Sequence, residues 1–400
     1  MARSQSHVGD HPARTGPTGR PAGPLTLLGI VLLALNLRAA IAGLAPLLPD
    51  VRLDLGLGGA TAGLLTTLPV LCFGLLSPAA ALLGGRIGVE RALLVAMLGI
   101  VVGSLVRTAP GIWSMITGTV LIGAGITVGN VLVPSVVKQD FPQRQGSVTA
   151  LTTAALTGGA ALAAAVTAPL AHGGWGWRGA LLVVGAPAAV AAALWLPQLR
   201  RRHVAPTLAR NVTALLRSPV TWALAAFMGM QSLTYYAMLA WLPTLLRDEG
   251  VSAADAGWAL ALFNLLGIAT AVLAPALATR LRDQRGLGLL VCATWAVCLL
   301  GLLGVPSLYL LWATMGGLAQ GAGIGLALAL LVLRARTPES ARDLSGTVQS
   351  VGYLLGATGP LLVGLLRDGS GGWVLPLGAL CVAVVVMAVA ALTAGRDRQV

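Results

Sequence analysis

The sequence predicts an all-α membrane protein with twelve transmembrane helices, arranged as two six-helix halves. Of its 400 residues, 56% are hydrophobic and only 10% are charged, and the mean hydropathy is +0.86. The charged residues fall in short clusters that separate apolar runs of about 20 residues, the length that a helix needs to cross a bilayer. A water-soluble chain of this length needs far more polar surface, so we expect a multi-pass protein of the cell (inner) membrane.

Twelve predicted spans follow when the charged clusters are taken as loops. They cover residues 25–48, 60–84, 92–107, 112–136, 147–171, 178–197, 219–243, 256–279, 287–304, 308–333, 344–366 and 373–394. With the amino terminus inside, 20 of the 26 Lys and Arg residues fall on the inner side and five on the outer side. This bias is the one that the positive-inside rule describes, and it places both termini in the cytoplasm. The one remaining basic residue is Arg38, in the middle of the first span.

The chain contains an internal repeat. A shift of 194 positions lays Gly63 on Gly257 and Arg86 on Arg280, and a shift of 198 lays "GAGI" at 123–126 on "GAGI" at 321–324. Six spans per half give both copies the same orientation in the membrane, which is a parallel repeat. The predicted organisation is a disordered cytoplasmic tail (1–24), two six-helix bundles (25–199 and 219–394), a cytoplasmic linker (200–218) and a short cytoplasmic tail (395–400).

Polar side chains lie near the middle of several spans. The candidates for substrate binding are Arg38, Asn36, Asn130, Gln231, Tyr235, Gln320, Gln349 and Tyr353, together with Trp241 near the end of the seventh span, whose ring can stack on a flat substrate. Gln231 and Tyr235 are four residues apart and share a helical face, as do Gln349 and Tyr353. For each Asn, Gln or Tyr the alternative is a hydrogen bond between helices, and for the aromatic residues it is packing.

Arg38 differs in kind from the neutral candidates. An arginine at mid-membrane costs about 2.5–3.5 kcal/mol on insertion scales, and the thirteen Asp and Glu residues all fall in loops, tails or span ends. A guanidinium stays charged and offers a planar fork of donors that suits a small anion. We interpret Arg38 as a central anion site; the alternative is a structural arginine bonded to carbonyl groups and Gln side chains.

Several segments resemble a known transporter family. "NLRAAIAGLAPLLPDV" (36–51), "GNVLVPSVVKQDFP" (129–142), "GMQSLTYYAMLAWLP" (229–243) and "GAGIGLALALLVLRARTPE" with the segment after it (321–368) are similar to the cyanate and 2-nitroimidazole transporter family of the major facilitator superfamily. This resemblance implies a secondary-active transporter that moves a small anion or small polar compound by alternating access. The alternative is an exporter of drug-like or aromatic compounds such as nitroimidazoles.

The resemblance also implies gates at the cytoplasmic side. "GGRIGVERALL" (84–94) is similar to the superfamily's gating motif, although Gly85 stands where an acidic residue is expected. The predicted gating residues are Arg86, Glu90, Arg91, Lys138 and Arg336. For Lys138 and Arg336 the alternative is a role as anchors at the inner membrane surface.

Several other functions are excluded by the residue content. The four Cys and four His show no metal-ligand spacing, so we expect no metal, no other cofactor and no enzyme activity. The sole lysine, Lys138, follows Val137, whereas a P-loop requires a Gly-Lys pair, so ATP is not an expected partner.

The expected partners are the lipid bilayer and the substrate. The basic residues report topology, so no nucleic acid is expected, and we expect a monomer. Because no carboxylate or histidine lies deep in a span, three coupling modes stay open: a proton carried together with the anion, uniport and exchange.

Overall fold

The fold was analysed in a computed structural model that describes residues 24–200, 215, 217–336 and 338–396. The predicted amino-terminal tail, most of the predicted linker and residues 397–400 lie outside the described residues. The described part of the chain forms fourteen α-helices. They are α1 (Pro24–Ala42), α2 (Leu48–Leu55), α3 (Gly59–Ile87), α4 (Val89–Arg107), α5 (Ile112–Asp140), α6 (Gln145–Leu170), α7 (Gly176–Gly185), α8 (Pro187–Trp195), α9 (Pro219–Asp248), α10 (Ala253–Ala278), α11 (Arg285–Gly304), α12 (Tyr309–Leu333), α13 (Pro338–Ser370) and α14 (Val374–Ala394).

Ten stretches of the described residues are long and apolar enough to cross a membrane. One of them, Ser147–Arg200, covers both α6 and the pair α7 and α8, while α9 is not among the ten. The middle of α9 carries an amide and several hydroxyl side chains, which lower its hydropathy. The sixth predicted span is divided between α7 and α8, and α8 begins at Pro187, which has no N–H to continue the helix.

The helix packing is the same in the two parts of the chain. In the first part α1 packs against α6 and α8, and α5 packs against α3 and α4. In the second part α9 packs against α13 and α14, and α12 packs against α10 and α11. The contacts between the two parts are made mainly by α3 with α13 and by α6 with α10.

The first predicted span, 25–48, is interrupted rather than continuous. Helix α1 ends at Ala42, a 3-10 turn covers Ala45–Leu47, and α2 begins at Leu48. The amide of Leu44 bonds to the carbonyl oxygen of Ile41, so it does not reach the carbonyl oxygen of Ala40. That oxygen accepts instead from Nη1 of Arg107, at 2.9 Å.

At one end of the bundle the two parts of the chain are in contact; we call this the closed end, and it contains Asp50, Asp54, Asp248 and Asp368. Among the described residues, four aspartate–arginine ion pairs lie there. Asp50–Arg247 at 3.1 Å and Arg52–Asp368 at 3.7 Å join the two parts, and Asp54–Arg178 and Asp248–Arg367, both at 2.9 Å, lie within one part. The backbones also meet closely, since a Cβ at Gly63 would collide with the carbonyl oxygen of Pro360. We call the four aspartate–arginine pairs the closed-end ion pairs.

The opposite end, which we call the open end, contains the exposed residues Arg86, Lys138, Arg282 and Arg336. A cavity extends from the middle of the bundle toward it, and its lining becomes more exposed in this direction. Leu37 and Leu239 are buried on the closed side of the cavity, whereas Asn130 and Thr149 are exposed on the other. The structure is therefore closed at one end and open at the other.

Candidate functional site

The candidate site is the central cavity, whose volume is about 1060 Å³. It is lined by α1, α3, α5 and α6 of the first part of the chain and by α9, α10, α12 and α13 of the second. Among the described residues that line it, Arg38 is the one charged residue. The rest of the lining combines apolar side chains with hydroxyl and amide groups, so the field inside the cavity is positive.

Arg38 is held by a chain of hydrogen bonds. Its Nη1 donates to the hydroxyl of Tyr235 at 2.8 Å, and the guanidinium carbon lies 5.2 Å from the centre of the Tyr235 ring. The Tyr235 hydroxyl donates to Oδ1 of Asn264 at 3.2 Å, and Nδ2 of Asn264 donates to the carbonyl oxygen of Leu260 at 2.9 Å. Asn264 is completely buried, so the guanidinium is fixed from behind by residues of α9 and α10.

Most of the Arg38 guanidinium is available to a ligand. An arginine has five N–H donors. In Arg38 one of them donates to Tyr235, and no acceptor among the described residues is found for the other four. Arg38 is partly exposed, and it borders both the cavity and a smaller recess beside it. The free donors therefore face space that an anion can enter.

The recess gathers further polar groups around Arg38. It is lined by Tyr236, Gln320 and Tyr353 together with Gln231 and Ser232. No hydrogen bond to another described residue is found for the hydroxyls of Tyr236 and Tyr353 or for the side-chain amide of Gln320. Tyr353 also packs its ring edge-on against Phe73, with ring centres 6.1 Å apart. The site thus offers hydroxyl and amide donors and flat aromatic faces near one cation.

Gln231 lies at the recess, but its amide is bound by the protein. Its Nε2 donates to the carbonyl oxygen of Gln320 at 2.9 Å, and its Oε1 accepts from the indole of Trp295 at 2.8 Å. The amide fits because Gly323 lies opposite, where a Cβ would collide with it. This arrangement departs from the prediction that Gln231 faces the anion, and it makes Gln231 a link between α9, α11 and α12.

Two other predicted site residues lie outside the cavity. Trp241 is buried toward the closed end, where its indole donates to the carbonyl oxygen of Pro360 at 2.8 Å. Asn36 is completely buried, and its Nδ2 donates to the carbonyl oxygen of Leu32 at 2.8 Å. Asn36 was predicted at the substrate site from its depth in the first span, and Trp241 as an aromatic residue that can stack on a flat substrate. Both lie on faces of their helices that do not line the cavity. The structure therefore does not bring these two residues to the cavity.

Asn130 and Gln349 line the cavity between Arg38 and the open end. Asn130 is exposed there, and the side chain of Gln349 donates to the hydroxyl of Ser345 on the preceding turn of α13. The structure thus brings seven of the nine predicted substrate-binding residues to the cavity or its recess. They are Arg38, Asn130, Tyr235, Gln320, Gln349 and Tyr353 at the cavity and Gln231 at the recess.

The predicted gating residues lie outside the cavity lining. Arg86, Arg91, Lys138 and Arg336 are exposed at the open end. Glu90 is buried, and its backbone carbonyl oxygen accepts from the indole of Trp195 at 3.0 Å. Their role in gating stays a prediction.

Two residues of the site, Asn264 and Tyr236, were not among the predicted ones. Asn264 is an amide in an otherwise apolar span, which is the same signal that selected Gln231 and Gln320. Tyr236 follows Tyr235 directly, so the helical pattern places it beside Ser232 on the next face of the same helix. In the structure the rings of these two tyrosines lie 5.0 Å apart and both border the recess.

The chemistry of the cavity is that of binding. Among the described residues, no group of three or more His, Cys, Asp or Glu side chains lies together in a way that suits a metal ion. Many apolar helices around a central cavity that opens at one end define a membrane transporter. The sequence matches the family model of the Major Facilitator Superfamily over residues 27–360. The chain belongs to the Major Facilitator Superfamily and is a multi-pass protein of the cell membrane.

Comparison with known proteins supports the same family. The chain is 39% identical over 377 residues to the 2-nitroimidazole transporter of Escherichia coli (strain K12). The aligned region covers 94% of this chain and 96% of the relative. It is also 34% identical over 362 residues to the cyanate transport protein CynX of the same organism. Here the aligned region covers 89% of this chain and 94% of the relative. The predicted resemblance to cyanate and 2-nitroimidazole transporters is confirmed.

Solved structures share the fold at low sequence identity. The nucleoside transporter NupG superposes with a TM-score of 0.78 at 12% identity, with 92% of this chain and 99% of that chain covered. A bacterial homologue of the human lysosomal transporter Spinster, in an inward-facing and occupied conformation, gives a TM-score of 0.71 at 17% identity, with 93% and 95% covered. At these identities the likeness concerns the fold alone.

Proposed function

We propose that the protein moves a small anion across the membrane by alternating access, with Arg38 as the anion site. The observation that carries this proposal is the geometry of Arg38: it is the one charged residue among the described residues lining the cavity, and Tyr235 holds it with most of its donors free. A guanidinium binds carboxylate-like or nitrate-like groups through two parallel hydrogen bonds. An anion at this position neutralises a charge that is costly inside a membrane.

We propose that the preferred anion is flat. Tyr236, Tyr353 and Gln320 surround the recess next to Arg38 with aromatic faces and hydrogen-bond donors. Linear cyanate, planar nitrate and a carboxylate on a flat ring are thin enough to fit between aromatic side chains and still reach the guanidinium. Relatives named for cyanate and for 2-nitroimidazole support the view that the substrate is small.

We further propose that the chain crosses the membrane twelve times, with both termini in the cytoplasm. The ten apolar stretches become twelve crossings if Ser147–Arg200 counts as two and α9 is added. The open end then faces the cytoplasm because most of the basic residues lie there. The closed-end ion pairs hold the external side shut, and Arg86, Glu90, Arg91, Lys138 and Arg336 act where the internal side closes.

Transport into proteoliposomes by three variants tests the anion site. The panel contains cyanate, nitrate, nitrite, acetate, benzoate and 2-nitroimidazole, and the variants are Arg38→Ala, Arg38→Lys and Arg282→Ala. Arg282 is exposed at the open end, so its substitution removes the same charge outside the cavity. A charged hydrogen bond contributes about 1.5–3 kcal/mol, so we expect Arg38→Ala to lose about 10- to 100-fold in anion uptake.

We expect Arg38→Lys to lose less, since it keeps the charge without the fork, and Arg282→Ala to match the parent protein. Anion uptake by Arg38→Ala at the parental rate would exclude Arg38 as the anion site. The second candidate function is the export of a neutral flat compound, which the tyrosines of the recess favour. Uptake of 2-nitroimidazole alone, undiminished in Arg38→Ala, would support that second function.

A further inference from the structure

We infer that the transporter is an exchanger, which returns across the membrane only with an anion bound. This inference rests on the proposed function of Arg38, and it selects one of the three coupling modes that the sequence left open. It follows from the charge of the cavity in its empty and loaded states.

The empty cavity has a single net positive charge among its described lining residues. Arg38 supplies it, and the partners of its guanidinium are the hydroxyl and ring of Tyr235, which are neutral. Asn264, which supports Tyr235 from behind, is neutral as well. Neutral dipoles orient the guanidinium without cancelling its charge.

The aspartates of the closed end are engaged elsewhere. Each of the four lies within reach of an arginine in the closed-end ion pairs, so these pairs are balanced among themselves. They join or brace the two parts of the chain at a distance from the cavity, whose described lining contains none of them. The positive charge of Arg38 is therefore left for water or a ligand to compensate.

Alternating access requires the open end to close around the site. In the present state water can enter from that end and solvate Arg38, because the lining becomes exposed toward it. Closing the cavity without an anion removes this water and leaves a charge surrounded by neutral groups, which is strongly unfavourable. Closing it around a bound anion encloses a neutral pair. The loaded carrier crosses, and the empty carrier stays on the side where it released its anion.

The prediction is that uptake depends on an anion on the far side. Proteoliposomes are prepared with unlabelled cyanate, nitrate or benzoate inside, or with only a buffer that does not compete for uptake. Uptake of the same labelled anion is then measured, with K⁺ and valinomycin present so that the membrane potential does not limit net anion entry. We expect uptake into loaded vesicles to be at least about tenfold faster, a ratio that corresponds to about 1.4 kcal/mol.

A second variant makes the explanation itself testable. Gln320 borders the recess next to Arg38 and has the same shape as Glu, so Gln320→Glu supplies an internal counter-ion for the guanidinium. We expect anion uptake by this variant to have nearly the same rate in empty and loaded vesicles, because its empty cavity is already neutral. Its uptake should be slower than that of the parent protein and show a weaker apparent affinity, because its loaded cavity has one net negative charge. Gln320→Leu, which adds no charge, should keep the dependence on internal anion. The thermal midpoint of each purified variant in detergent confirms that it is folded.

The outcomes separate the exchange from the anion site. Equal uptake by the parent protein into empty and loaded vesicles, abolished in Arg38→Ala, would overturn exchange and leave the anion site standing. Accumulation in empty vesicles driven by a pH gradient would also overturn it and indicate a proton carried with the anion. No Arg38-dependent uptake of any of the three anions under either loading would overturn the proposed function and the exchange that rests on it.

Discussion

Tyr235→Phe tests how the protein holds its central arginine. The Tyr235 hydroxyl accepts from Nη1 of Arg38 at 2.8 Å and donates to Oδ1 of Asn264 at 3.2 Å. Phenylalanine keeps the ring, and so keeps the face that lies 5.2 Å from the guanidinium and the stacked contact with Phe263. The substitution therefore removes two hydrogen bonds and little else.

The two lost bonds have different costs. Asn264 is completely buried, so its Oδ1 loses its partner where water does not reach, at about 1–3 kcal/mol of folding free energy. Arg38 borders the cavity, and water replaces the bond that it loses. The loss at Arg38 is that its guanidinium is no longer held in place for the anion. If anion binding becomes less favourable by about 1 kcal/mol, KM increases about fivefold. We expect a destabilised protein that transports its anion with a raised KM.

Tyr236→Phe is the matched control. It makes the same substitution at the next residue, whose hydroxyl has no hydrogen-bond partner among the described residues. We expect this variant to unfold within about 0.5 kcal/mol of the parent protein, the usual range where no such feature is removed. The assays are thermal unfolding of both proteins in detergent and KM for anion uptake in proteoliposomes. Equal stability of the two Phe variants, or a parental KM for Tyr235→Phe, would refute the supporting role of Tyr235.

Two further predictions concern the rest of the bundle. Asp50→Asn weakens the pair with Arg247 that joins the two parts of the chain, and a partly exposed pair contributes about 1 kcal/mol. The closed end should therefore open more often. The assay is labelling of Ala45→Cys, in a cysteine-free background, by an impermeant maleimide added outside cells, and we expect Asp50→Asn to make this labelling faster. An unchanged labelling rate would contradict the prediction. Arg107→Gln keeps a donor for the carbonyl oxygen of Ala40 and removes a buried charge, so its thermal midpoint should equal or exceed the parental one. Arg107→Ala leaves that oxygen unpaired and should cost about 1–3 kcal/mol, whereas equal midpoints of the two variants would show that the bond is unimportant.

The family and the depth of the site were predictable from the sequence. Apolar runs of membrane length and the repeated motifs predicted the helical membrane fold and the superfamily, which the family match confirms. A charged residue at mid-span is so costly that its position alone indicated a special environment. The structure places Arg38 at a cavity, so the depth inferred from position along the span was sufficient for this residue.

The direction of each side chain was not predictable in the same way. A position in a span gives depth, at about 1.5 Å per residue, but the face that meets the cavity depends on which helix lies opposite. Gln231 lies at the recess beside Arg38, but its amide is bound by the protein because Gly323 of a neighbouring helix leaves room for it and Trp295 supplies a donor. Trp241 has a partner in the carbonyl oxygen of Pro360. Both outcomes depend on contacts between helices far apart in sequence.

Arg107 and Arg38 show why burial of an arginine does not by itself indicate a ligand. Arg107 is the last residue of the third predicted span, 92–107, where it was counted on the outer side, yet it is almost completely buried. Its partner exists because α1 stops at Ala42, and a helix that stops leaves its last carbonyl groups without bonds inside the helix. The break in α1 thus gives Arg107 a backbone acceptor.

Arg38 lies about one turn before the end of α1 at Ala42. There the backbone carbonyl groups of α1 still accept hydrogen bonds within the helix. The protein meets one of its donors with Tyr235 and leaves the remainder to the cavity. Each of the two arginines has one hydrogen-bond acceptor among the described residues, and Nε and Nη2 of Arg107 are buried without one. The difference is therefore one of surroundings, since Arg38 borders the cavity and Arg107 is enclosed by the protein. Of the two, the arginine at the wall of a cavity between two moving parts is the one whose remaining donors are available to an anion.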